Sequence, residues 1–199
     1  MIGYNPKGGK LQTDTSMDID RGFVAHYEVA ASDATAADID GIHIAVVDSG
    51  VQQEITDGIT QPSVPRNITA TAGGTATDIG AIQVIVEGTN FADEVITETL
   101  PAFTLDTAGT VTGNKAFKTV TKITIPAHDG PGATTSIGFG EKLGMPYKLD
   151  RDTVLFAHRD NVKEATAPTV TTSSVAIEDN TFTLNSPLNN TKVDVYLVV

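Results

Sequence analysis

The stretch Thr119-Val120-Thr121-Lys122-Ile123-Thr124-Ile125 decides the fold class. Its side chains alternate with a period of two, Val120, Lys122 and Thr124 on one side, Ile123 and Ile125 on the other. β-Branched residues are stiff at χ1 and suit a pleated, half-buried surface. Working outward, Ile82, Val84 and Val86 share one face of the run from Ile79 to Val86. At the C-terminus Val193, Val195, Leu197 and Val199 alternate with Asp194, Tyr196 and Val198. Turn chemistry separates such runs at Asp48-Ser49-Gly50, Gly73-Gly74, Gly88-Thr89-Asn90, Gly113-Asn114 and His128-Asp129-Gly130-Pro131-Gly132. No window long enough for a helix combines apolar residues at i, i+3, i+4 and i+7 with usable caps. The expectation is an all-β chain, an antiparallel β-sandwich or barrel-like domain. Ile82, Val84, Val86, Val120, Ile123, Ile125, Val195 and Leu197 should face inward.

Residues 1–22 read differently. Gly3, Pro6, Gly8 and Gly9 lead into a polar stretch from Thr13 to Arg21. Alone, such a segment buries too little apolar surface to offset its ordering entropy. It is expected as an extended N-terminal arm, either frayed or ordered against a partner, ahead of a β-rich domain at 23–199. Within that domain, 150–199 is open to forming a separate sheet or subdomain. Ile2, Tyr4, Leu11, Met17 and Ile19 are spaced apolar anchors, and such spacing suits a peptide laid over a partner surface. A weak echo runs at an offset of 40: Thr35, Ala36, Asp38, Ile39, Ile42, Val46 and Glu54 recur as Thr75, Ala76, Asp78, Ile79, Ile82, Val86 and Glu94. Two similar hairpins would produce it, and so would shared composition.

Composition narrows the function classes. The 199 residues carry 25 acidic and 13 basic side chains, a net charge of −12, which argues against a nucleic-acid partner. With no cysteine, disulfides, thiolate metal sites and thiol nucleophiles are excluded. Apolar runs such as Ile44-Ala45-Val46-Val47 are far too short to span a membrane. The start, Met1-Ile2-Gly3-Tyr4-Asn5-Pro6, lacks the basic and apolar regions of a signal peptide. The expectation is a soluble chain made in the cytoplasm with no membrane partner.

Little in the sequence points to catalysis. Val46-Val47-Asp48-Ser49-Gly50 matches the aspartic-protease loop, but that chemistry needs a second such Asp to share a proton, and no second Asp-Ser/Thr-Gly occurs. Asp48 is expected to be an ordinary turn residue at the surface, where replacement by Asn costs no more than about 0.5 kcal/mol. Neither Asp38-Ile39-Asp40-Gly41 nor Asp14, Asp18 and Asp20 fits a calcium loop. His26, His43, His128 and His158 form no ligand pair, so a metal site built from them would depend wholly on tertiary proximity. Gly73-Gly74-Thr75 and Gly138-Phe139-Gly140 lack the Lys of a phosphate loop, and no Gly-x-Ser-x-Gly elbow is present. Asn67 and Asn189 are formal glycosylation acceptors that matter only in a secretory pathway. The chain is expected to be non-enzymatic, with no cofactor and no metal.

Several stretches carry a resemblance. Asp57 to Thr69, Val86-Glu87-Gly88-Thr89-Asn90, Ile96 to Pro101, Lys115 to Ala127 and Gly138 to Leu149 resemble segments of virion structural proteins from tailed bacteriophages and prophages of Gram-positive hosts. Among those head and tail products it is most similar to a capsid decoration, or cement, protein. The resemblance implies a location on the outer capsid surface, the major capsid protein as partner, and self-association, most often as a trimer. It brings no catalytic residues. A tail component (tube, baseplate or appendage) is the alternative, and a carbohydrate- or receptor-binding module is a further one. The absence of Trp and the presence of only four Tyr count against the last.

Overall fold

The computed structural model describes residues 22–199, together with the backbone of a short strand pair ahead of them, β1 (Leu11–Gln12) and β2 (Asp18–Ile19). The strands that follow are β3 (Val24–Val29), β4 (Asp38–Val47), β5 (Gln53–Ile55), β6 (Arg66–Gly74), β7 (Ile85–Thr89), β8 (Val95–Thr99) and β9 (Gly109–Phe117). Then come β10 (Thr119–Ile125), β11 (Ala133–Gly144), β12 (Val154–Arg159), β13 (Val162–Lys163), β14 (Thr169–Thr171), β15 (Thr181–Thr183) and β16 (Val193–Val198). Among the described residues the only helical pieces are 3-10 turns at Ala76–Asp78 and Ile177–Asp179, and every strand pairing is antiparallel. The chain is all-β.

Three sheets make up the body. The first runs β14-β15-β11-β6-β9, with β4 also paired to β11; the second runs β5-β10-β7-β8; the third runs β13-β12-β16-β3. The first and second sheets enclose one core, with Ile68, Val86, Leu100, Phe117, Ile123 and Ile137 fully buried. The third sheet closes a second core around Val29, Leu143, Met145, Phe182, Val195 and Leu197. Strand β11 belongs to both, sending Ile137 into the first and Leu143 into the second. Each fully buried Val, Leu, Ile or Phe contributes roughly 1.5–3 kcal/mol, so both clusters are substantial.

The eight residues expected to face inward do so, Ile82 only half-buried at the core's edge. Simple alternation nevertheless fails at β10. A β-bulge between Val120 and Lys122 makes Thr121 an extra residue against β7, so Val120, Ile123 and Ile125 all reach the core. Lys122 points out and pairs with the directly opposite Glu87 at 2.6 Å.

One expected turn is corrected. Gly113-Asn114 is no turn but the middle of β9. A Cβ at Gly113 would lie 2.6 Å from Glu98 Oε2 and 2.8 Å from Leu100, because Glu98 reaches across from the edge strand β8 to accept the Asn114 backbone N–H at 2.6 Å. That carboxylate joins the edge of the second sheet to the edge of the first. The 40-residue echo also has no structural counterpart: Asp38 opens strand β4, whereas Asp78 ends a 3-10 turn. Of residues 150–199, β12, β13 and β16 join β3 in the third sheet, while β14 and β15 extend the first.

Candidate functional site

Of the apolar anchors expected to bind a partner, Ile2, Tyr4 and Met17 lie outside the described residues. Leu11 and Ile19 sit directly opposite each other in the antiparallel β1–β2 pair. The segment meets the body at Gly22 and Phe23. Phe23 and Val199 exchange both backbone hydrogen bonds at 2.9 Å, which roots the N-terminal segment beside the C-terminus. A hollow of about 380 Å³ opens at this root, lined by Gly22, Lys148, Leu149, Arg151, Thr153 and Val198.

Beside that root lies the outer face of the third sheet. Strand β3 is its edge, and among the described residues only β16 pairs with it. Period two sends Ala25, Tyr27 and Val29 toward the second core and Val24, His26 and Glu28 outward. Register then builds three rows across the strands. Val24 faces Val198; His26 faces Tyr196, which faces Phe156; Glu28 faces Asp194, which faces His158, which faces Lys163. The rings of the middle row stand against one another, His26 stacked on Tyr196 at 4.6 Å and Phe156 at 5.0 Å from Tyr196. Phe23 and Val24 leave apolar surface exposed at one end of this face.

The charged row is tightly organised. His26 Nε2 lies 2.7 Å from Asp194 Oδ1, and Lys192 Nζ lies 3.1 Å from Asp194 Oδ2 and 3.4 Å from Glu28 Oε2. Burial by itself would raise the Asp194 carboxyl. The hydrogen bond to His26 and the Lys192 ammonium outweigh it and hold the group below the usual range, so it is ionised at neutral pH.

Asp48 is not the exposed turn residue that its motif suggested. It is 7% exposed, and its two oxygens are both engaged, Oδ2 by the Gly50 N–H at 2.8 Å and Oδ1 by the His128 N–H at 2.9 Å. It clamps two loops that are 80 residues apart in sequence. His128, expected as a loop residue, is buried. Its Nδ1 accepts from the Gly80 N–H, so Nε2 carries the proton and donates to Thr135 Oγ1 at 2.8 Å. Asp38 and Asp40 stand close enough that Asp40 is raised by its hydrogen bond with Asp38 and by that group's charge. Asn67 is buried and bonded to Gly113 O and the Lys142 N–H, so it is closed to modification in the folded chain, whereas Asn189 is exposed.

Sequence reasoning missed Arg66, which is fully buried. Its guanidinium donates to Gly140 O at 2.7 Å and to Thr35 O and Oγ1 at 3.1 Å, over the Phe139 ring. Desolvation pushes it down to about 10, against the pull of Glu141. Beside it, where β4 and β15 diverge along β11, a cavity of about 320 Å³ is lined by Ile39, Asn67, Thr69, Phe139 and Glu141. No family model, curated protein or solved structure matches this chain.

Proposed function

We propose that this chain is a non-enzymatic structural protein of a tailed-phage virion that binds the outer capsid surface and decorates or stabilises it. The observation that carries the reading is the resemblance of the stretches between Asp57 and Leu149 to virion structural proteins. The physical build is in keeping with it. A shell protein without disulfides needs a densely packed β-body, and here two apolar cores share one long strand. A charge of −12 repels the packaged polyphosphate. The segment ahead of β3 departs from a strand that, among the described residues, pairs only with β16, and on its other side a peptide or a neighbouring subunit can add its own backbone pairing.

In this reading the docking energy comes from residues 1–22, with Ile2, Tyr4, Leu11, Met17 and Ile19 as anchors on the major capsid protein or a neighbouring copy. Ordering such a segment costs about 1–2 kcal/mol per residue, so several anchors must engage together. The experiment is negative-stain imaging of virions labelled at the exposed C-terminal Val199, with native mass spectrometry of the released protein. Label distributed over the head, with a trimeric species, supports a decoration role. Label on the tail replaces it with the tail-component reading, and a monomer present at one copy per virion points to a vertex or tail position.

A further inference from the structure

We propose that His26, Glu28 and Asp194 form a binding site for a divalent transition ion, with Zn²⁺ as the reference ion, on the outer face of the third sheet. One imidazole nitrogen and one oxygen from each carboxylate lie within 4.8 Å of one another. Zn–N and Zn–O bonds of about 2.0–2.2 Å at tetrahedral angles place ligand atoms roughly 3.4 Å apart. His26 and Asp194, now 2.7 Å apart, must therefore open slightly, and the Glu28 oxygen must move in. Glu28 has that freedom, because its side chain is 49% exposed.

The framework beneath the ligands is rigid. His26 and Glu28 are two residues apart on β3 and share a face, and Glu28 lies directly opposite Asp194 on β16. Tyr196, stacked on His26 at an interplanar angle of 11°, holds the imidazole plane. The donor set selects the class of ion: one nitrogen with two carboxylate oxygens suits Zn²⁺, Co²⁺, Ni²⁺ or Mn²⁺ better than the all-oxygen preference of Ca²⁺ or Mg²⁺. His158 faces Asp194 from β12 and lies outside this ligand group.

Lys192 is the resident competitor. Its ammonium contacts both carboxylates, so metal binding is an exchange in which a side chain that is 33% exposed swings out and a divalent ion takes its place. The bound ion would tie residue 26 to residue 194 and so pin the edge strand from which the N-terminal segment departs. This inference does not depend on the virion reading.

The test uses the full-length chain, stripped with a chelator and then titrated with ZnCl₂ by calorimetry, with thermal unfolding in parallel. The expected result is saturable binding at one ion per chain with a raised unfolding midpoint, both lost in His26→Ala. Lys192→Met should bind about tenfold more tightly, because a competing like charge has been removed from the site. Lys192→Met/His26→Ala should lose that gain, which separates ligation from any general effect of the Lys192 change. Long-range ¹H–¹⁵N spectra should show the His26 Nε2 resonance shifting on titration. Binding that is absent, exceeds one ion per chain, survives His26→Ala, or is not tightened by Lys192→Met would mean an adventitious ion only, and would overturn the site.

Discussion

Asn180 shows what a single polar side chain does in this fold. It is fully buried, its Oδ1 accepting from Leu149 and Ser173 N–H groups and its Nδ2 donating to Ser173 and Ala176 carbonyls. All four bonds satisfy backbone groups, that of Leu149 in the interior and those of Ser173 and Ala176 part-buried. Asn180→Ala strands them, and a loss of about 3 kcal/mol is expected in urea unfolding, since each stranded buried group costs about 1–3 kcal/mol and some will relax toward solvent. His128 sets a pH dependence. Burial lowers its pKa despite Asp48 and Asp129, and protonating Nδ1 would replace the acceptor facing the Gly80 N–H with a second donor. The unfolded chain therefore takes up the proton first, so stability falls as pH drops through the ordinary histidine range toward the lower folded value. Urea midpoints at pH 7.5 and 5.5 should differ less in His128→Gln than in the parent chain. Asp48 belongs with these two residues: Asp48→Ala should cost about 1–2 kcal/mol through its two lost backbone bonds, measured the same way.

At the scale of elements, β9 and β10 show how tertiary contacts bend a strand away from the ideal. Gly113 is glycine because Glu98, Leu100 and the Ile68 carbonyl converge on its Cα within 2.6–3.0 Å of any added Cβ. Gly113→Ala should destabilise by about 2 kcal/mol, the usual scale of overpacking. Glu98→Ala combined with Gly113→Ala should cost less than the sum, because the first change makes room for the second; chemical denaturation of the cycle checks this. The bulge at Thr121 was not readable from alternation. Its position depends on β7 holding Gly88 and Glu87 opposite, which is a pairing between distant segments. In the same way Gly113-Asn114 has the composition of a turn, and only the approach of β8 explains it as strand.

At the scale of the molecule, the two cores are coupled. Strand β11 runs through both, and the tip of the β7–β8 hairpin sends Phe91 against Tyr27, 6.2 Å between ring centroids, while Tyr27 also meets Phe182. Asn90 at that tip donates to Glu178, 88 residues away in sequence. Unfolding is therefore expected as one transition, with far-UV and near-UV signals changing together; two separated transitions would show that the cores melt independently. Among the described residues, the buried apolar residues of both cores lie at Val29 or beyond. Deleting residues 1–22 should leave the unfolding free energy from urea titration within about 0.5 kcal/mol of the parent, as for changes outside packed features. In the virion reading the same truncation should abolish binding to undecorated capsids. If the truncated chain saturates them with unchanged affinity, the docking surface lies on the folded body.

The period of two, the β-branched content and the turn residues are local properties of the chain, so the sequence alone determined an all-β protein and the inward placement of the residues it named, Val84, Val86, Val120, Ile123, Ile125, Val195 and Leu197. Which strands pair was not local. The division into three sheets, the sharing of β11, the bulge at Thr121 and the burial of Arg66 and Asp48 each arise from contacts between segments tens of residues apart. The gathering of His26, Glu28 and Asp194 belongs to the same class. In the chain, His26 and Asp194 are 168 residues apart and carry no motif; antiparallel register between the first strand of the third sheet and the last is what sets an imidazole and two carboxylates side by side.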